Sequence, residues 1–245
     1  NGGAQSVSLI YTGAGEISDR KIRLNATGTN HANQIHADGS GPLILSNISN
    51  DMLSGAKTLF LRGSNAQGNM VTSQLSDNGV SALSVTVDGG AVWILTNSAN
   101  NYTGVTTASA GALGIGSNTA IPAALTISNG NVFAFGGDRI LTNTLNMGNN
   151  ATSGFIGDHS ITFSGTNNLS ATDNNINMYN SIVADKSVTL NGLLANGLTA
   201  NRTWTLDGAG TTVINGDFTT TTLFGVGIAK NGNGVLALGG SGASN

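Results

Sequence analysis

Short apolar bursts run the whole length of the chain, each four to six residues long, with apolar and polar positions alternating and turn residues in between. A period of two is the mark of a half-buried strand. It predicts strands at Val7–Tyr11, Lys21–Leu24, Leu43–Ser46, Thr58–Arg62, Leu83–Val87, Val92–Thr96, Gly111–Ile115, Leu125–Ser128 and Asn131–Phe135. The same pattern continues at Ile161–Ser164, Ile176–Tyr179, Ser187–Leu190, Thr203–Leu206, Thr211–Ile214 and Val235–Leu238. Strand centres fall roughly 8 to 14 residues apart, the spacing of an all-β fold with a turn after each strand. Asn-Gly pairs begin at Asn78, Asn129, Asn191, Asn196, Asn215, Asn231 and Asn233, and Asp-Gly pairs at Asp38, Asp88 and Asp207. Both pairs tolerate the positive φ of tight turns. Long Ala, Leu, Glu and Lys stretches are lacking, so almost no α-helix is expected.

These turns suit hairpins and solenoid corners equally, and composition separates the two. Aromatic residues make up 5% of the chain and no linker-like stretch occurs, which counts against immunoglobulin-sized sandwich modules. Only 9% of residues are charged, against about 25% on average, and 36 Gly, 32 Asn and 52 Ser plus Thr fill the surface role. In a parallel β-helix each coil lies about 4.8 Å from the next, so Asn, Thr and Ser recur above one another and can form ladders. The sequence therefore predicts one continuous right-handed parallel β-helix (β-solenoid) over residues 1–245, with about 20 to 25 residues per coil and about ten coils. Rows such as Leu43/Leu45, Leu59/Leu61, Ile94 with its neighbours and Leu236/Leu238 would form its core. A sandwich or stacked-sheet array is the alternative.

Charge and cysteine content narrow the partners. A net charge of −3 arises from acidic and basic residues scattered singly; without a basic patch no nucleic-acid partner is expected. The lack of cysteine excludes disulfides and thiolate metal sites. No apolar run approaches the roughly 18 residues of a spanning helix, so no membrane insertion by this segment is expected. Because the first residue is Asn1, a targeting segment is expected to have been removed or to lie outside this fragment.

The segment 91–116 (AVWILTNSANNYTGVTTASAGALGIG) has an incomplete second copy at 234–245 (GVLALGGSGASN). That marks the chain as a piece of a longer repeat array whose ends are covered by adjacent repeats or by another copy. In order, Trp93, Leu95, Asn101, Tyr102, Thr103, Gly104, Thr106, Thr107, Gly111 and Leu113 resemble the autotransporter-associated (passenger-associated transport) repeat β-helix family of bacterial surface proteins. One departure is Val105 where that family usually doubles the glycine. The resemblance implies a β-helix stalk at a bacterial cell surface, in which a Trp-x-Leu strand, a Tyr-Thr-Gly turn, a Thr-rich strand and a Gly-x-Leu strand follow one another.

β-Helices also include polysaccharide lyases and glycosidases, so catalytic groups need a separate test. Asp138 and Asp158 stand 20 residues apart and, stacked on adjacent coils, would lie about 5 Å apart, near the separation used by retaining glycosidases. Asp185 and Asp207 follow further along. Asp138 and Asp158 each follow Gly, and Asp207 precedes Gly208, which favours turn roles. His31 and His36 lack the further ligands of a metal site. Neither Gly13-Ala14-Gly15 nor Gly225-Val226-Gly227 completes a phosphate-binding loop. Trp93 and Trp204 sit in alternating strands, which favours packing over sugar stacking.

The expectation is a non-enzymatic, extracellular structural or adhesive β-helix, a stalk or filament segment at the bacterial cell surface, with no cofactor and no metal. Its expected partners are other copies or adjacent repeats of itself, and glycans or cell envelopes. A β-helix polysaccharide lyase or glycosidase and a phage tail-fibre segment are the alternatives.

Overall fold

Alternation along the chain becomes, in three dimensions, a set of columns that run from coil to coil. The computed structural model describes residues 6–27, 32–51, 54–147, 154–169, 176–192, 194–196, 200–220 and 225–239. The chain divides into two units, Asn1–Ala123 and Ala124–Asn245. Both are stacks of short parallel strands, and no helix occurs among the described residues. Each unit is a β-solenoid five coils deep, in keeping with the ten coils expected.

In the first unit, one sheet is built in order from Val7–Tyr11, Asn33–Ala37, Lys57–Gly63, Leu83–Val87 and Thr106–Ala108. A second holds Ala14–Ser18, Gly41–Leu45, Asn69–Val71, Val92–Leu95 and Ala112–Ile115. Among the described residues, the third side has only Ile22–Arg23 paired with Ile48–Ser49. Register sets Ile35 beside Leu61, Leu61 beside Val87 and Val87 beside Ala108, all buried. In the second sheet Leu45, Val71, Leu95 and Ile115 form an equivalent buried column. Each such side chain gains about 1.5–3 kcal/mol from burial.

The second unit has three full sides. Its first sheet contains Leu125–Ile127, Leu145–Met147, Asn167–Leu169, Leu194–Asn196 and Phe218–Thr220, and its second Asn131–Ala134, Gly154–Phe155, Ile176–Asn180, Arg202–Asp207 and Val226–Lys230. The third is Arg139–Leu141, Ile161–Phe163, Ser187–Leu190, Thr211–Ile214 and Leu236–Leu238. Phe155 and Phe163 meet edge to face at 5.7 Å in its core. Leu238 pairs with Ile214 yet is exposed, because no further coil covers it among the described residues.

Every strand read from alternation is found, four of them with the predicted ends and the rest with ends shifted by at most two residues. The strands that alternation misses are polar or very short, such as Asn33–Ala37, Ala14–Ser18 and Asn167–Leu169. A neighbouring coil supplies their hydrogen bonds, so one or two inward side chains suffice. Coil length runs from 20 residues, Val92 to Ala112, to 28, Ile176 to Trp204. That irregularity limits Asn-on-Asn stacking to pairs such as Asn146 with Asn168 and Asn191 with Asn215, both bonded at 2.8 Å. Most buried asparagines instead bond backbone at corners. Asn33 Oδ1 accepts the N–H groups of Asn25 and Ala26, and its Nδ2 donates to the carbonyls of Ala26 and Thr58.

Glycine at the Asn-Gly corners serves stacking as much as positive φ. Gly232 has φ 65°, as the turn chemistry expects, whereas a Cβ on Gly192 would overlap the carbonyl oxygen of Gly165, and one on Gly216 that of Gly192. Those three form a column in which successive backbones approach too closely for any side chain.

Candidate functional site

The segment 91–116 closes one complete coil of the first unit. Its two motif strands lie on each other, with Trp93 beside Leu113 and Leu95 beside Ile115. Trp93 is fully buried, and its Nε1–H donates to the Arg62 carbonyl at 2.9 Å, one coil back. Tyr102 is buried too, and its hydroxyl pairs with Thr106 Oγ1 at 2.6 Å; burial pushes the phenol above its ordinary pKa. Thr103 donates both N–H and Oγ–H to Asp77, the hydroxyl at 2.7 Å. Gly104 N–H reaches the Leu83 carbonyl, and a Cβ there would overlap that same oxygen. Gly111 has φ 70° and packs on Ala91. The side-chain polar groups of Trp93, Tyr102 and Thr103 are spent on the preceding coil or on the motif itself.

Asn101 is exposed, with its N–H on the Leu75 carbonyl. The buried amide is its neighbour Asn100, whose Oδ1 accepts the Leu75 N–H and whose Nδ2 donates to the Ala120 carbonyl, both at 2.8 Å. Of the second motif copy, residues 240–245 lie outside the described residues, and Leu236–Leu238 belongs to the third sheet of its unit. Inward positions on any side of a coil ask for the same alternation, so that pattern alone does not assign a side.

Charged groups gather on the third side of each unit. In the first, a polar groove of 440 Å³ is lined by residues including Lys21, Asn47, Asp51, Gln74 and Asp77. Lys21 Nζ lies 2.6 Å from Asp51, and this bond, aided by Ser49, holds the Asp51 carboxyl down at about 2. Burial alone would raise Asp77, but the Thr103 hydroxyl and the N–H groups of Leu83 and Thr103 outweigh it and lower its pKa. In the second unit, Arg139 pairs with Ile161, which sets Ser160 rather than Asp158 beside Asp138. Asp138 Oδ1 accepts the Ser160 N–H at 2.8 Å and faces Lys186 Nζ at 3.3 Å. Those two contacts, the Ser160 N–H first, depress its pKa.

Asp138 and Asp158 thus do not stack. Both reach His159, Asp138 at 3.8 Å from Nδ1 and Asp158 at 3.6 Å from Nε2, on an open surface where Asp158 is 77% exposed. Asp185 is a turn residue at φ 70°. Asp207 Oδ1 accepts the following Gly208 N–H at 2.6 Å, the local role its sequence context favours. His36 bonds Gln34 Oε1, which Arg62 shares, and Arg62 also pairs with Asp88 at 2.8 Å. His31 lies outside the described residues. Trp93 and Trp204 are both buried, so neither offers a face to a sugar.

The chain is similar to a bacterial adhesin. Over 96 residues it is 32% identical to the adhesin BmaC autotransporter of Brucella suis biovar 1 (strain 1330), a stretch that covers 38% of this chain and 3% of that protein. The chain thus matches only a small part of the length of this curated relative. No protein-family model matches the chain, and no solved structure matches it. The adhesin similarity and the parallel coils agree with a surface-protein repeat, and the motif's bonding is that of a structural unit.

Alternation does not mark Asn100 or Asp77, which lie between the predicted strands, and it places Tyr179 in a strand without marking it as a site residue. A spacing does mark one of them. Arg62 with Asp88, Asp38 with Ser64 and Thr103 with Asp77 are all separated by 26 residues, the repeat of the sheets they flank.

Proposed function

We propose that this chain is a segment of an extracellular structural and adhesive β-solenoid on a bacterial surface, and that it is not an enzyme. The supporting observation is the motif coil, in which Trp93, Tyr102, Thr103 and Gly104 all bind the chain's own backbone or side chains. Such a coil serves length and repetition, and many weak contacts along it add up through multivalency. The similarity to an autotransporter adhesin points the same way. Adjacent repeats or other copies are its structural partners, and cell envelopes its adhesive targets.

Beads coated with the full 245-residue chain are expected to adhere to cultured epithelial cells and to bacterial envelopes more than beads coated with albumin. Equal adherence would overturn the adhesive reading. Incubation with pectin, hyaluronan and chitin is expected to release no reducing ends, either from the wild type or from the double variant Asp138→Asn/Asp158→Asn. Release by the wild type that the double variant loses would establish the glycosidase or lyase alternative.

A further inference from the structure

The outward side chains on the second sheet of the second unit form a small polar grid around one exposed ring. Tyr179 pairs with Asp207, Asn177 with Thr205, and Leu206 with Lys230, which sets Asn231 beside Asp207. One column therefore runs through Gly154, Tyr179, Asp207 and Asn231, and its neighbour through Asn177, Thr205 and Ala229. Neighbouring strands are about 4.8 Å apart and alternate residues about 6.8 Å apart, so the grid has the dimensions of a pyranose ring and its substituents. Tyr179 is 45% exposed. The hollow beside the ring, lined by Asn177, Tyr179, Thr205, Asp207 and Asn231, has a volume of 290 Å³.

These groups differ from the polar side chains elsewhere in how little they are used. Asp38, Asp77, Asn146 and Asn191 all bond to residues of the next coil. Among the described residues, the side chains of Asn177, Tyr179, Thr205 and Asn231 make no hydrogen bond, and Asp207 accepts only the Gly208 N–H. An apolar ring face, free amides, a hydroxyl and a carboxylate with acceptor capacity left over are thus collected on one rigid sheet.

We propose that this hollow binds a neutral pyranoside, a hexose or N-acetylhexosamine unit of a glycan. The C–H face of the sugar would stack on Tyr179, where an amphipathic ring gives apolar contact at low entropic cost. Its hydroxyls would donate to Asp207, a charge-assisted bond stronger than a neutral one, and exchange hydrogen bonds with Asn177, Thr205 and Asn231. The carboxylate repels uronic and sialic acids, so charge selects neutral sugars. This deepens the adhesive reading by naming a ligand class.

The test is saturation-transfer and amide chemical-shift NMR on the full 245-residue chain, with chitotriose, lactose, mannotriose and trigalacturonic acid each added alone. At least one neutral probe is expected to bind and to shift amides at 177–179, 205–208 and 229–232. Tyr179→Ala is expected to weaken binding roughly tenfold, and Tyr179→Phe to stay within about threefold of the wild type. Asp207→Asn, which keeps the shape and removes the charge, is expected to weaken it several-fold and serves as the second variant should Tyr179→Ala perturb the sheet. Binding by none of the neutral probes, unchanged binding in both Tyr179→Ala and Asp207→Asn, or tighter binding of trigalacturonic acid would overturn the proposal. Absence of sugar binding by the wild-type chain, with its bead adhesion intact, would overturn this site alone and leave the adhesive reading standing.

Discussion

The two units solve the third side of a coil in different ways. In the second, Ile161–Phe163, Ser187–Leu190 and Thr211–Ile214 continue as paired strands, and β-branched residues such as Thr162, Thr189 and Val213 fit the pleat. In the first, strand pairing stops after Ile48–Ser49, and side chains take over the bonding from coil to coil. Ser73 Oγ accepts the Ile48 N–H, Asn50 Nδ2 donates to the Ser76 carbonyl, Gln74 Nε2 to the Ala99 carbonyl and Asn97 Nδ2 to the Thr72 carbonyl. Asn100 bonds on both sides. A primary amide carries a donor and an acceptor, as a peptide group does, so it can occupy a place in the ladder where the backbone turns away. Coil length changes under both arrangements, from 26 residues at Asn33 to Leu59 down to 20 at Val92 to Ala112 in the first unit, and from 20 at Leu125 to Leu145 up to 28 at Ile176 to Trp204 in the second.

The comparison breaks most easily at Asn100. Asn100→Ala leaves the Leu75 N–H and the Ala120 carbonyl without their buried partners, an expected loss of about 2–4 kcal/mol. Thr189→Ala in the second unit removes an outward side chain, including its 3.2 Å contact with Ser187 Oγ, while the strand stays paired. Its cost is expected to stay under about 1 kcal/mol. Native-state hydrogen exchange at Leu75 and at Leu190 measures the two separately. Equal losses would mean that amide side chains do not carry the third side of the first unit.

The two tryptophans sharpen the same contrast at a smaller scale. Trp93 Nε1 donates to the Arg62 carbonyl, whereas Trp204 Nε1 is buried with no partner among the described residues. Both replacements by Phe remove similar volume. Trp93→Phe is therefore expected to cost about 1–2 kcal/mol more than Trp204→Phe, read from urea midpoints of the two variants. A larger loss at Trp204 would show that packing volume, not the hydrogen bond, sets the cost.

Much of this architecture was legible from alternation, because inward Leu, Val and Ile at Leu59–Leu61 or Val85–Val87 have few other places to go. Strands such as Asn33–Ala37 were not, since their pairing with Lys57–Gly63 is an interaction between distant residues that leaves little mark on either segment. The repeat motif was legible as a unit, yet its key amide is Asn100 rather than Asn101; adjacent asparagines differ only in which side of the coil they face. The carboxylates were readable as turn residues. Their stacking depends on a register fixed by coil lengths, and these vary from 20 to 28 residues. Tyr179 stood at the end of a predicted strand, but which polar groups flank it depends on the register that sets it beside Asp207.

The smallest effects separate the two acidic clusters. Folded-state pKa values of Asp77 and Asp138 both lie below the ordinary 3.8, so each contributes stability that is complete above that value and drains as pH falls toward the depressed one. Asp77 is half-buried and bonded to three donors from Leu83 and Thr103, so Asp77→Asn is expected to flatten the acid limb of the stability curve below pH 3.8 in both low and high salt. Asp138 stands in the open, held first by the Ser160 N–H and then by Lys186, the second a contact that salt screens. Asp138→Asn is expected to flatten the curve less, and the part owed to Lys186 should vanish at high salt. Thermal melts from pH 2 to 6, at two ionic strengths, measure both. If Asp138→Asn gives the larger and salt-independent change, the bonded carboxylate of the second unit is the stronger tie between coils, and the division drawn here between a side-chain-tied first unit and a strand-tied second unit fails.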